Sequence, residues 1–218
     1  MEILITNIDN KKRIESSLKR IFHKIKDKTL ITEIKEYPVI ITDENDALKI
    51  YNKKEYTPND KAFIKGLNEG PGAVISIPYE NGTKHLVAIN LKNNDELRFG
   101  DKELDGVISH ELGHVFNKYK SKAPRSIIEA FGLTIKNPDQ TITNVYKLNN
   151  QLNDQNNFYK EFYADYFSKK TNCSKGLIRS IELAISSNKF QDKNEMFKER
   201  LLKLRSNEMF ENIVIINL

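Results

Sequence analysis

The sequence predicts an α+β fold, with helices packed around a small antiparallel or mixed sheet. Three features carry that expectation. An apolar helical period runs through residues 11–27, a hairpin pattern fills residues 73–91, and after Asp101 the spacing turns helical for most of the remaining chain. The 218 residues suffice for one hydrophobic core, so 1–218 reads as one domain: an N-terminal helix and sheet over 1–100, paired central helices over 101–170, and a helical extension over 171–218.

Taken in order, Ile14, Leu18, Ile21, Phe22 and Ile25 fall on one face of the first helix, while Lys and Arg fill the others. His23 lies near the apolar side and is expected to pack there. Pro38 to Thr42 follows as a short strand, closed by the acidic turn Asp43 to Asp46. Residues 52–72, rich in Lys, Asn, Pro and Gly, read as a surface connection with one helical turn at Asp60 to Lys65. Ala73 to Tyr79 and His85 to Leu91 then form strands around Asn81 and Gly82, which both tolerate the positive φ of a tight hairpin turn. Pro78 cannot donate to a ladder, so its strand is expected at a sheet edge or paired only on its other side there. Helices are expected at 102–117, at Ser126 to Ile135, at Phe158 to Lys169, from a Ser174 cap to Ser187, and from Asp192 to Arg205. The stretch from Pro138 to Asn157 reads as a polar loop, and Glu211 to Asn217 as a last strand.

Formal net charge is +5 and the pI is about 9.0, but the lysines are scattered along the chain, so nucleic acid is not expected as a direct partner. The single cysteine, Cys173, excludes an intrachain disulfide and a cysteine-based zinc ribbon. Met1 to Asn10 lacks the pattern of a cleaved leader, and no stretch approaches the length of a spanning helix. A cytoplasmic protein with no membrane partner is therefore expected.

Within the 102–117 helix, His110 and His114 stand four residues apart, on one face with Cβ atoms about 6 Å from each other. Both imidazoles can then reach one ion, and neutral imidazole nitrogen suits zinc. Glu111 is offset by about 100° around the helix, beside the ion without needing to ligate it. There a general base can take a proton from the water that the metal acidifies and pass it to a leaving amine. Ile108, Leu112 and Val115 form an apolar side turned to the core. Gly113 costs about 1 kcal/mol against alanine in a helix, so a second backbone or a substrate is expected close to it.

A catalytic zinc needs a third protein ligand and an open position. No His follows His114, so the ligand must be a carboxylate. Glu161 is the first choice because Asp165 lies one turn further on the same face. From there Asp165 can accept a hydrogen bond from the far ring nitrogen of a ligating histidine. Ala164, being small, lets the two helices approach. Glu129 is the rival ligand. One catalytic Zn2+ is the expected cofactor, and a protein or peptide the expected substrate.

At these two segments the sequence resembles the gluzincin metallopeptidases, which join a His-Glu-x-x-His helix to a downstream Glu-x-x-x-Asp helix. Among compact members it looks most like the ImmA/IrrE family, in its size, its N-terminal helix, the hairpin ahead of the motif helix and the downstream Glu-x-x-Ala helix. The resemblance implies a zincin-like metallopeptidase domain in which His110, His114 and Glu161 bind zinc, Glu111 is the base and Asp165 orients a ligand. It also implies site-specific cleavage of a bacterial or phage repressor.

Charge developing on the carbonyl oxygen calls for a donor besides zinc, and Tyr163, Tyr159, Arg125 and His85 are the candidates. The strand near His85 to Leu91 is expected to offer an edge to which an extended peptide adds. Two other classes compete. A peptidase-like binding module would hold a partner without cutting, and Glu111 argues against it because a structural metal site has no use for a base. A basic nucleic-acid-associated regulator would have to keep its binding at physiological salt.

Overall fold

Asn7 starts the first helix, because its side-chain oxygen accepts from the backbone N–H of Asp9 and Asn10, both at 3.0 Å. The computed structural model describes residues 1–25, 31, 38–43, 46–47, 70–79, 82–120, 160–161 and 164–206. They form β1 (Glu2–Ile3), α1 (Ile8–Lys24), β2 (Pro38–Ile41), β3 (Gly72–Tyr79), β4 (Gly82–Ile89), α2 (Leu91–Glu96) and α3 (Asp101–Lys120). Helical residues 160–161 and 164–170, together α4, are followed by α5 (Ser174–Ser186), a 3-10 turn at Gln191–Lys193 and α6 (Asn194–Arg205). The expected turn at 60–65, helix at 126–135, loop at 138–157 and strand at 211–217 lie outside the described residues.

The fold is α+β, and the described residues form a mixed four-stranded sheet in the order β1-β2-β4-β3. β1 and β4 run parallel to β2, whereas β3 and β4 form the expected antiparallel hairpin, with Ala73 opposite Ala88 and pairing continued to Tyr79 and Gly82. Pro78 sits in the edge strand β3, where a missing donor is tolerated. Strand alternation gives the sheet two apolar faces. Ile40, Val87 and Ile89 join Ile14, Leu18 and Ile21 of α1 and Leu104, Ile108 and Leu112 of α3 in the main core. Val39, Ile41, Leu86 and Ala88 form a second cluster on the opposite face.

Several details depart from the sequence expectation. β1 is a two-residue strand, too short for any period to announce. Leu91 does not end a strand: the Asn90 side chain accepts from Asn93 N at 2.9 Å and turns the chain into α2. His23 is exposed, because it lies about 200° round the helix from buried Ile21. Ser174 is the first residue of α5 and not its cap; that position belongs to Cys173, whose side chain makes no capping bond.

Two buried contacts fix α3, the element that matters most. Asp105, 1% exposed, accepts from Ser17 Oγ at 2.6 Å and from Arg20 Nη2 at 2.8 Å, tying α1 to α3. On its other side α3 meets α5 backbone to backbone. A Cβ on Gly106 would overlap Leu177, and one on Gly176 would overlap the Lys102 carbonyl. Among the described residues no helix is long and apolar enough to cross a membrane.

Candidate metal centre

His110 and His114 lie one turn apart on α3, as their spacing requires, with ring centroids 4.7 Å apart. Their Nε2 atoms are 3.1 Å apart. Glu161 reaches across from α4, with Oε2 at 3.3 Å from His110 Nε2 and Oε1 at 3.3 Å from His114 Nε2. A cation with tetrahedral bonds of about 2.0–2.1 Å holds its donors about 3.3 Å apart. The three side chains therefore fit a single metal ion, and each offers a donor atom to it.

Glycine makes that meeting possible. A Cβ on Gly113 would lie 2.7 Å from Ala164 Cα and 2.8 Å from Phe167 Cβ, so α4 packs directly on the bare backbone of α3. The expectation of a close second backbone is met, and Ala164, fully buried, is the small residue on the facing side. Behind the site, the hydroxyls of Ser109 and Thr171 are hydrogen-bonded to each other in the interior.

Asp165 stands behind His110. The ring Nδ1 is 2.9 Å from Asp165 Oδ1, which aims Nε2 at His114 and Glu161. Arg200, from α6, completes the cluster. Its Nε donates to Asp165 Oδ2 at 2.9 Å and its Nη2 to Oδ1 at 2.6 Å, a two-pronged pairing, while Nη1 lies 3.0 Å from Glu161 Oε2. The sequence analysis did not single out Arg200. A signal was present: Phe197, Leu201 and Leu204 mark the inward face of α6, and an arginine on such a face requires a carboxylate partner.

Burial and the charge of Arg200 pull the His110 imidazolium down, but the hydrogen bonds to Asp165 and Glu161 outweigh them and lift its pKa to about 9. Burial opposes ionisation of Glu161, yet Arg200 and the two histidines hold its carboxyl well below the usual range. Asp165 is lowered in the same way, against burial, by Arg200 and His110. Glu111 behaves differently. Burial pushes it up, with His110 and His114 pulling the other way, so it is the more basic carboxylate of the group.

His110, Glu111, His114, Glu161 and Arg200 line a cleft of about 480 Å³. Its lining includes Gly70 and Pro71, the first residues of β3 from Gly72 to Val74, and the apolar side chains of Val107, Leu177, Ile181, Ala184 and Phe197. Among the described residues the edge strand beside the cleft is β3 and not the strand from His85, because β4 lies inside the sheet between β2 and β3. His85 is buried in β4, with Pro38 and Ser76 as its neighbours in register. Tyr159, Tyr163, Arg125 and Glu129 lie outside the described residues.

No protein family, no curated protein and no solved structure matches this chain.

Proposed function

We propose that the protein is a zinc-dependent peptidase with a zincin-like fold of the gluzincin type, hydrolysing amide bonds in a protein or peptide. The observation that carries this is the convergence of His110, His114 and Glu161, with neighbouring donor atoms 3.1–3.3 Å apart, beside the buried carboxylate Glu111 in an open cleft. Two imidazoles and one carboxylate suit zinc and leave one coordination position to solvent. A zinc ion bound there supplies Lewis acidity for the scissile carbonyl and a water acidified towards neutral pH.

The chain's own groups supply the rest. Glu111 accepts a proton from the attacking water and returns it to the leaving amine, a role suited to a carboxylate made more basic by burial. Asp165 fixes the orientation of His110, and Arg200 fixes Asp165. An extended peptide adds along β3, the edge strand among the described residues, and places an apolar side chain towards Leu177, Ile181 and Phe197. The likeness to the ImmA/IrrE peptidases favours a cytoplasmic regulatory protein, such as a repressor, as the substrate.

A structural metal site would not need Glu111, and that residue supplies the test. Zinc-loaded protein is incubated with a proteome-derived peptide mixture and new termini are read by mass spectrometry. Glu111→Gln is expected to keep one zinc per chain and to lose turnover by about 10²–10⁴-fold. Equal cleavage by both proteins would remove the mechanism.

A further inference from the structure

Gly72 opens the edge strand β3, and Glu111 occupies the space where a side chain at that position would be. A Cβ on Gly72 would lie 2.6 Å from Glu111 Oε1, 2.7 Å from its Cγ and 2.9 Å from its Cδ, all inside normal packing distance. The strand is fixed, so the Glu111 side chain is the partner that must shift. Glu111 is 7% exposed and enclosed on α3. The strand is held where it begins: Gly72 pairs with Ile89 of β4, Asn90 N donates to the Pro71 carbonyl at 3.1 Å, and Asn93 Nδ2 donates to the Gly70 carbonyl at 3.0 Å. Asn93 is itself held from the C-terminal side by Lys189, whose Nζ donates to Asn93 Oδ1 at 2.5 Å. Gly70, Pro71 and Gly72 line the same cleft as the two histidines.

We propose that Gly72 is a positioning residue: its bare backbone, pinned by Asn90 and Asn93, sets where the Glu111 carboxylate stands relative to His110 and His114. The catalytic consequence rests on the peptidase function proposed above, whereas the contact itself does not. A methyl group at residue 72 pushes the carboxylate out of its place and leaves the metal ligands where they are.

The decisive experiment is a double-mutant cycle on metal-free protein, with the melting temperature as its readout. Gly72→Ala is expected to lower Tm by about 2–4 °C in the wild-type background. In the Glu111→Ala background the added methyl has room, and the same change is expected to cost under about 1 °C. An equal loss in both backgrounds would overturn the inference, since the constraint would then lie elsewhere. Unchanged Tm in both would overturn it too, because Glu111 would then move aside freely. If Gly72→Ala alone does not fold, recovery of folding by the added Glu111→Ala supports the contact, and failure of the double variant refutes it.

A second readout tests positioning. Gly72→Ala is expected to lower kcat at least about tenfold, with KM and zinc content within about twofold of wild type, since a positioned base contributes about 10²–10⁴-fold. Unchanged kcat, or loss of zinc, would contradict the assignment. Thermal coupling in a protein that cleaves no peptide would leave the contact standing and sink the peptidase function instead.

Discussion

Around His110 four other charged groups share the interior, and their balance decides how the site behaves before a metal binds. His110 has a folded-state pKa of about 9 against an ordinary 6.5. The folded protein holds that proton more tightly than the unfolded chain does, so the stabilisation is fully present below pH 6.5 and is lost as pH rises through about 9. Glu111, also raised, acts in the same direction at lower pH, whereas Glu161 and Asp165, held low, stabilise above the ordinary carboxylate range and lose that contribution in acid. Zinc requires the neutral imidazole and competes with the proton. Melting curves of metal-free protein are therefore expected to show Tm falling between pH 6.5 and 9, with the dependence abolished by zinc. A flat or rising Tm in the metal-free protein would contradict the hydrogen bonding assigned to His110. The meeting of His110 and His114 was legible because a four-residue spacing fixes which side chains share a helical face. Arg200 was not, because its partners lie on another helix and only its presence on an apolar face hinted at them.

At the scale of elements, the meeting of α3 and α4 brings His110, His114 and Glu161 within reach of one another. In an exposed helix Gly→Ala stabilises by about 1 kcal/mol. At Gly113 the sign reverses, since the methyl group would press on Ala164 and Phe167 backbone and Cβ atoms that cannot swing away. Gly113→Ala is expected to destabilise the protein by about 1–3 kcal/mol and to weaken zinc binding, because the displaced helix carries Glu161. Chemical denaturation and a zinc titration check both effects, and a stabilised variant with unchanged affinity would show that the helices are not in contact. The sequence revealed the hairpin, α1, α3 and α6 through their periods. It did not reveal β1 or α2, one too short for a period and the other set by the Asn90 cap. The free edge was assigned to the wrong strand because a hairpin specifies that β3 and β4 pair, while the side taken by β2 is decided by distant chain. Pro78 alone pointed to β3.

Across the whole molecule, the segments that hold the site come from both ends of the chain. Asp105 ties α1 to the inner face of α3, the sheet edge supplies one wall of the cleft, and α5 and α6 supply the apolar wall and Arg200. The C-terminal helices thus belong to the site and are not an appendage to it. The proposed function depends on His110, His114 and Glu161 holding a single ion with a corner left for solvent. Anomalous diffraction at the zinc edge from zinc-loaded crystals tests it most directly. One peak per chain is expected within bonding distance of those three side chains, and it is expected to vanish in Glu161→Ala. A peak elsewhere, or one that survives the loss of Glu161 unchanged, would contradict the assignment.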